Sequence, residues 1–118
     1  MLDPDRIPRQ AFINSWDDLA NFIHLTAVEK GWWDRERNEL ELIMLVITEL
    51  SEAVEAVRHH NPPDDKIPHY TGLEAELADA VIRIMDMGAK LEIDIAGALI
   101  DKIVYNLGRD HKHGGKKY

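Results

Sequence analysis

Apolar residues recur at helical spacing along most of the chain, and no segment shows the strict alternation of a half-buried strand. Thr71 and Glu74 have the spacing of a capping box, and Ser15 is a candidate N-cap, with Gly31 as the stop of the helix that follows it. The pattern predicts four helices, over residues 15–30, 37–59, 71–90 and 94–110. Residues 1–14 are predicted to be irregular, and residues 110–118 are predicted to form a mobile basic tail.

The second predicted helix is apolar on nearly every side between residues 40 and 50. A helix of this kind is expected to be buried on nearly every side, and three other helices in a chain of 118 residues can hardly cover it. The sequence therefore predicts an all-α fold, a four-helix antiparallel bundle-type domain that is completed by homo-oligomerisation.

The length and net charge of the chain limit the classes of function that the protein can have. A chain of 118 residues fits a single domain, here residues 1–118. A net charge of −8 argues against a general nucleic-acid binder, and the absence of cysteine excludes disulfides and thiolate metal sites. The longest apolar run, residues 42–47, is far too short to span a bilayer, and the first ten residues lack the apolar core of a signal peptide. We expect a cytoplasmic protein with no membrane partner.

Four carboxylates interrupt the apolar helices. Glu49 and Glu52 lie one turn apart on the second helix, and Glu76 and Asp79 lie one turn apart on the third. In an antiparallel hairpin Glu52 and Asp79 fall at similar heights, so all four can converge. Clustered carboxylate oxygens suit Mg²⁺, with Mn²⁺ as a substitute. The alternatives are a solvated helix face, or ion pairs with Arg58 and Arg83.

The fourth helix carries positive charge. Lys102, Asn106 and Arg109 fall at i, i+4 and i+7 and therefore share one face. From Lys102 onward five Lys or Arg oppose one Asp, a balance of +4, which leaves −12 on the rest of the chain. A cationic face beside a metal cluster suits a polyphosphate, and a solvated face is the alternative.

Aromatic residues near the first helix are candidates for stacking on a nucleobase, and polar neighbours for hydrogen bonding to its edge. A place in the helical core is the alternative for the aromatic residues. The base-binding candidates are Trp16, Asn21, His24 and Trp33, together with Phe22 and Trp32.

The motif Glu49-Leu-Ser-Glu52, a spacer, and Glu76-Leu-Ala-Asp79 resembles the ExxE…ExxD signature of the MazG-like, all-α nucleoside triphosphate pyrophosphohydrolases. The resemblance covers residues 22–118. It includes AVEKGWW at residues 27–33, TELSEAV at residues 48–54, ELADAVIRIMD at residues 76–86, KIVYNLGR at residues 102–109 and HGGKKY at residues 113–118.

The resemblance implies a dimer or tetramer that hydrolyses nucleoside triphosphates, such as dNTPs or non-canonical NTPs, to a monophosphate and pyrophosphate. It implies Mg²⁺ bound by Glu49, Glu52, Glu76 and Asp79, with Glu49 and Glu52 as the catalytic candidates. Lys102, Asn106 and Arg109 are expected to hold the phosphates. Some relatives carry two adjacent acids at the first motif, and here the earlier position is Thr48. If that extra acid is the base in those relatives, another group must serve here.

Three other functions are compatible with parts of the pattern. A non-catalytic helical module that dimerises and binds a partner explains the apolar helices but not the paired acids. A di-iron bundle usually presents Glu-x-x-His motifs on facing helices, and no such tetrad occurs here. A pyrophosphohydrolase of a phosphoribosylated nucleotide would share the fold and the metal site.

Overall fold

A computed structural model describes residues 2–109 of the chain. After a short 3-10 turn at Pro4–Arg6, four helices follow: α1 (Arg9–Glu29), α2 (Glu39–Arg58), α3 (Gly72–Leu91) and α4 (Ile95–Leu107). The described residues contain no β-strand, only an isolated bridge between Pro63 and Thr71. The prediction of an all-helical chain with four helices is confirmed. The expected tail at residues 110–118 lies outside the described part.

Helix α1 begins six residues earlier than predicted, so the predictions of a Ser15 cap and of an irregular segment reaching residue 14 are wrong. Pro8 occupies the N-cap position without a side-chain cap, and Ser15 is exposed within the helix. Proline is well tolerated where a helix starts, because the first N–H groups have no partner inside the helix. Phe12 and Trp16 are half-buried and extend the apolar stripe toward the N-terminus, which outweighs the capping signal.

Several predicted helix ends are confirmed. Thr71 and Glu74 form a reciprocal capping box, in which the Thr71 N–H donates to Glu74 Oε1 at 3.0 Å. Gly31 adopts φ +85°, the left-handed conformation that follows the end of α1. At the start of α2, Asn38 accepts a hydrogen bond from the Glu41 N–H at 2.9 Å and acts as the N-cap.

Helices α2 and α3 form the central pair of the molecule. Ala56 lies next to Gly72, and Arg83 contacts Glu49, so the two helices run antiparallel. Helix α3 also packs against α1, whereas α4 packs mainly against α1. The buried apolar residues of the described chain are mostly small: Ala20, Leu42, Ala53, Ala75, Ala80, Met85, Ala96 and Ile100.

A large apolar surface remains uncovered. Helix α2 alone exposes seven large apolar side chains, namely Leu40, Ile43, Met44, Ile47, Leu50, Val54 and Val57. The radius of gyration is 16.9 Å, compared with about 13 Å for a compact domain of this length. A single chain therefore does not bury α2 in the way its sequence predicts. None of the helices within residues 2–109 is long and apolar enough to cross a membrane.

Candidate functional site

Three of the four predicted carboxylates come together between α2 and α3. Glu49 on α2 and Glu76 and Asp79 on α3 each place one carboxylate oxygen within 4.8 Å of the others. The i, i+3 spacing puts Glu76 and Asp79 on one face of α3, and the antiparallel packing brings Glu49 opposite them. We call Glu49, Glu76 and Asp79 the acidic cluster.

The negative charge of the acidic cluster is only partly compensated by nearby cations. Burial, and then repulsion from Asp79 and Glu49, raises the pKa of Glu76 above its usual value. The pKa of Asp79 is also raised, first by partial removal of its carboxyl group from water, although the residue as a whole is exposed, and then by Glu49. Arg83 and Lys66 oppose this shift only in part. The cluster therefore offers oxygen donors that fit a hard divalent cation such as Mg²⁺ or Mn²⁺.

Glu52 lies outside the acidic cluster. Its side chain is exposed on α2, one turn beyond Glu49, and it contributes the smallest of the effects that raise the pKa of Glu76. Glu52 is close enough to repel the cluster without sharing the small volume in which the other three oxygens meet. Its role as a metal ligand or base stays a prediction.

Arg83 links the acidic cluster to an aromatic side chain. Its Nε donates to Glu49 Oε1 at 2.8 Å, so one of the alternative ion pairs considered from the sequence is present. Its guanidinium carbon also lies 6.0 Å from the ring centroid of Trp32. Within residues 2–109, Glu76 and Asp79 have no ion pair of this kind. The ion-pair alternative thus accounts for Glu49 but not for the other two carboxylates.

A cleft of about 510 Å³ opens beside the acidic cluster. Glu49 and Asp79 line one part of it, while Phe22 and Trp32, which are 69% and 50% exposed, line another. The cations that line the cleft are Lys30, Arg37, Lys66 and Arg83. A volume of this size fits a small-molecule ligand, and the lining combines acid, cation and exposed aromatic groups.

Lys102, Asn106 and Arg109 do not line this cleft within one chain. All three are exposed; Lys102 and Asn106 lie on α4, which packs mainly against α1, and Arg109 follows two residues after the end of that helix. The Lys102 Nζ atom and the Arg109 guanidinium carbon lie 5.6 Å and 5.7 Å from the ring centroid of Tyr105. Sequence reasoning assigned the cationic role to α4 because that helix has the most regular spacing of basic residues.

The predicted base-binding residues divide into two groups. Trp33 donates from Nε1 to both carboxylate oxygens of Asp86 at 3.2 Å, and His24 Nδ1 lies 2.7 Å from Asp86 Oδ1. Trp16 instead packs on Phe12, with ring centroids 5.9 Å apart. Neither Trp16 nor the exposed Asn21 lines the cleft. Asp86, which holds Trp33 and His24 together and lines the cleft, was missed from the sequence.

No family model, curated protein or solved structure matches the chain. The resemblance to the MazG-like pyrophosphohydrolases therefore depends on the motif residues alone.

Proposed function

We propose that the protein is a Mg²⁺-dependent nucleoside triphosphate pyrophosphohydrolase. The observation that carries this proposal is the meeting of Glu49, Glu76 and Asp79 beside a cleft that Glu49 and Asp79 line together with exposed aromatic rings. A nucleotide needs both environments, because its phosphates require positive charge and its base favours an aromatic surface. An acidic protein can hold the phosphates when a divalent cation lies between the two sets of negative charge.

The position of the Arg83 guanidinium group supports this arrangement. One arginine side chain reaches from Glu49, in the acidic cluster, to the ring of Trp32. The acidic cluster and the ring are therefore both close to one guanidinium group, so one nucleotide could approach both. A base that stacks near Trp32 would place its α-phosphate next to the acidic cluster.

In the proposed reaction the oxygen of a water molecule bonds to the α-phosphorus, and the bond between that phosphorus and the α–β bridging oxygen breaks. Pyrophosphate leaves with the bridging oxygen, and Glu49 or Glu52 accepts the proton of the water. Glu49, Glu76 and Asp79 would hold Mg²⁺, which supplies positive charge for the phosphates and lowers the pKa of bound water. Lys66 and Arg83, which line the cleft, place further positive charge near the phosphates.

We also propose a homodimer or homotetramer as the working unit. The apolar side chains that α2 exposes are numerous enough to need a partner surface, and a second copy offers the same surface in return. Lys102, Asn106 and Arg109 keep their predicted phosphate-binding role only if another copy brings them to the cleft. A cytoplasmic location and the absence of nucleic-acid and membrane partners belong to the same proposal.

The deciding experiment is a turnover screen on the purified full chain. Canonical and modified NTPs and dNTPs are incubated with Mg²⁺ and, separately, with EDTA, and the products are separated. We expect Mg²⁺-dependent formation of monophosphate and pyrophosphate. If no triphosphate turns over while Mg²⁺ still binds, phosphoribosyl nucleotides become the next substrate class. The absence of both turnover and metal binding would favour the non-catalytic helical module.

A further inference from the structure

Arg37 is an arginine without a carboxylate partner at the aromatic part of the cleft. It precedes Asn38, the N-cap of α2, and its guanidinium carbon lies 5.9 Å from the ring centroid of Trp32 and 5.6 Å from that of Trp33. Its Nε atom is buried and has no hydrogen-bond partner within residues 2–109. Four other arginines have a carboxylate partner: Arg9, Arg35, Arg58 and Arg83.

Arg37 donates no hydrogen bond to another protein group within residues 2–109. A guanidinium is always charged and carries five N–H donors, and a buried donor without an acceptor destabilises the fold. The two tryptophan rings attract the positive charge, but their faces do not replace in-plane acceptors. Because the Nε atom is shielded from solvent, a ligand that enters the cleft would pair with the terminal N–H groups of Arg37.

The cleft is the route by which such a ligand can arrive. Arg37 also borders a second cavity of about 20 Å³, which has room for about one water molecule. A larger ligand must therefore approach through the 510 Å³ cleft, which Arg37 lines together with Trp32. Glu49 and Asp79 of the acidic cluster line the same cleft, and the proposed function places the phosphates beside them. Arg37 is thus next to the expected position of the base.

We infer that Arg37 selects the base of the substrate, an inference that rests on the proposed function. Two parallel N–H groups of a guanidinium match two neighbouring acceptors on one base edge. Guanine offers such a pair at O6 and N7, and cytosine offers one at N3 and O2. Adenine places its N6 amino donor beside both N1 and N7, and thymine separates its two carbonyl oxygens by an N–H. The geometry therefore favours guanine or cytosine nucleotides.

The first test compares kcat/KM for dGTP, dCTP, dATP and dTTP. We expect the natural protein to favour dGTP or dCTP over both dATP and dTTP by about tenfold or more. Arg37→Lys keeps the charge and loses the paired donors, and should reduce this preference to about twofold or less. Arg35→Lys is the matched control, because Arg35 binds Glu41 outside the cleft, and it should leave the preference unchanged. An equal loss for all four substrates in Arg37→Lys would overturn the inference.

The second test does not require turnover. Monophosphates dGMP, dCMP, dAMP and dTMP are titrated in EDTA against tryptophan fluorescence, since Trp32 and Trp33 both lie beside Arg37. Tighter binding of dGMP or dCMP that Arg37→Lys abolishes would support the inference even if no triphosphate turned over and the proposed function failed. Equal binding of all four would overturn it even if turnover were found. A thermal melt of Arg37→Lys shows whether the variant is folded.

Discussion

Asp79 and Asp86 lie two turns apart on the same face of α3, and both line the cleft. Asp86 is surrounded by donors, with His24 from α1 at 2.7 Å and the Trp33 indole N–H at 3.2 Å. The pKa of Asp79 is raised first by partial burial of its carboxyl group and then by the negative charges of Glu49 and Asp64, which Arg83 and Lys66 offset only in part. Two identical side chains on one helix face therefore have opposite electrostatic surroundings.

The difference separates a structural role from a binding role. Asp86 joins α1, the segment after it and α3 through hydrogen bonds, so its negative charge is already compensated. Asp79 has no such donor within residues 2–109 and shares its position with Glu49 and Glu76. Carboxylates held together against repulsion are typical of sites that bind a cation.

The largest effect on turnover is expected for Asp79→Asn. The change removes one charge from the acidic cluster and keeps the size of the side chain. If the cluster holds Mg²⁺, turnover should fall by about a thousandfold or more. The folded state should be unaffected or slightly more stable without metal, because one repulsive charge has been removed. Product analysis and a thermal melt in EDTA measure the two effects.

Two further variants test which carboxylates of α2 take part in the proposed metal site. Glu55→Gln is a matched control, because Glu55 continues the spacing of Glu49 and Glu52 but pairs with Arg58 away from the cluster; its turnover should stay within about twofold. Glu52→Gln distinguishes a ligand or base from a bystander: a loss as large as that of Asp79→Asn would place Glu52 in the chemistry. Full activity in Asp79→Asn would disprove the proposed metal site.

For Asp86 we expect the opposite of Asp79: a substitution should lower stability more than turnover. Asp86→Ala leaves the Trp33 indole N–H without its acceptor and frees the His24 ring. The free energy of unfolding should fall by about 1–3 kcal/mol, with a smaller effect on turnover than that of Asp79→Asn. Urea denaturation at fixed protein concentration measures this value, since association also contributes to stability. Asp18→Ala on the exposed part of α1 is the control. An unchanged unfolding curve for Asp86→Ala would show that Asp86 does not have this structural role.

The sequence predicts local features of this molecule well. The Thr71 and Glu74 capping box and the stop at Gly31 depend on neighbours within a few residues, and both are present. The i, i+3 pairs also predict that Glu76 and Asp79 share a face. The Ser15 cap is wrong because a local capping signal competes with apolar spacing that continues toward Pro8.

The spacing of residues along the sequence does not predict which helices pack together, so it cannot predict features that depend on this packing. Lys102 on α4 and Arg109 just after it have regular spacing, but α4 packs mainly on α1, and the cleft takes its cations from other segments. Arg37 and Asp86 carry no sequence signal of their own. Arg37 is one of several charges in the connection before α2, and Asp86 resembles any polar position on an amphipathic helix. Their roles become visible only when α1, α2 and α3 are assembled.

The smallest expected effect concerns pH. The pKa of Glu76 is raised above its usual value of 4.5, mainly by burial and then by Asp79 and Glu49. Below pH 4.5 this carboxyl is protonated in both the folded and unfolded states, so its relative contribution to stability is fully present. That contribution is lost as the pH rises through the raised pKa, because the folded protein then has to hold an additional charge in the cluster. In EDTA the natural protein should therefore lose stability relative to Glu76→Gln as the pH rises from 4.5 to neutral.

The comparison with Glu76→Gln isolates this effect from other carboxyl groups. The pKa of Glu74 is lowered by its hydrogen bonds with Thr71, so Glu74 stabilises the fold above its usual pKa and loses this effect in acid. Glu74 is present in both proteins, and its contribution cancels in the difference. Adding Mg²⁺ at neutral pH should restore the stability of the natural protein more than that of Glu76→Gln, because the cation replaces the proton as the group that neutralises the cluster. If the stability difference between the natural protein and Glu76→Gln does not change with pH, Glu76 is solvated like Glu55. The electrostatic surroundings of the acidic cluster would then not differ from those of Asp86 in the way described above.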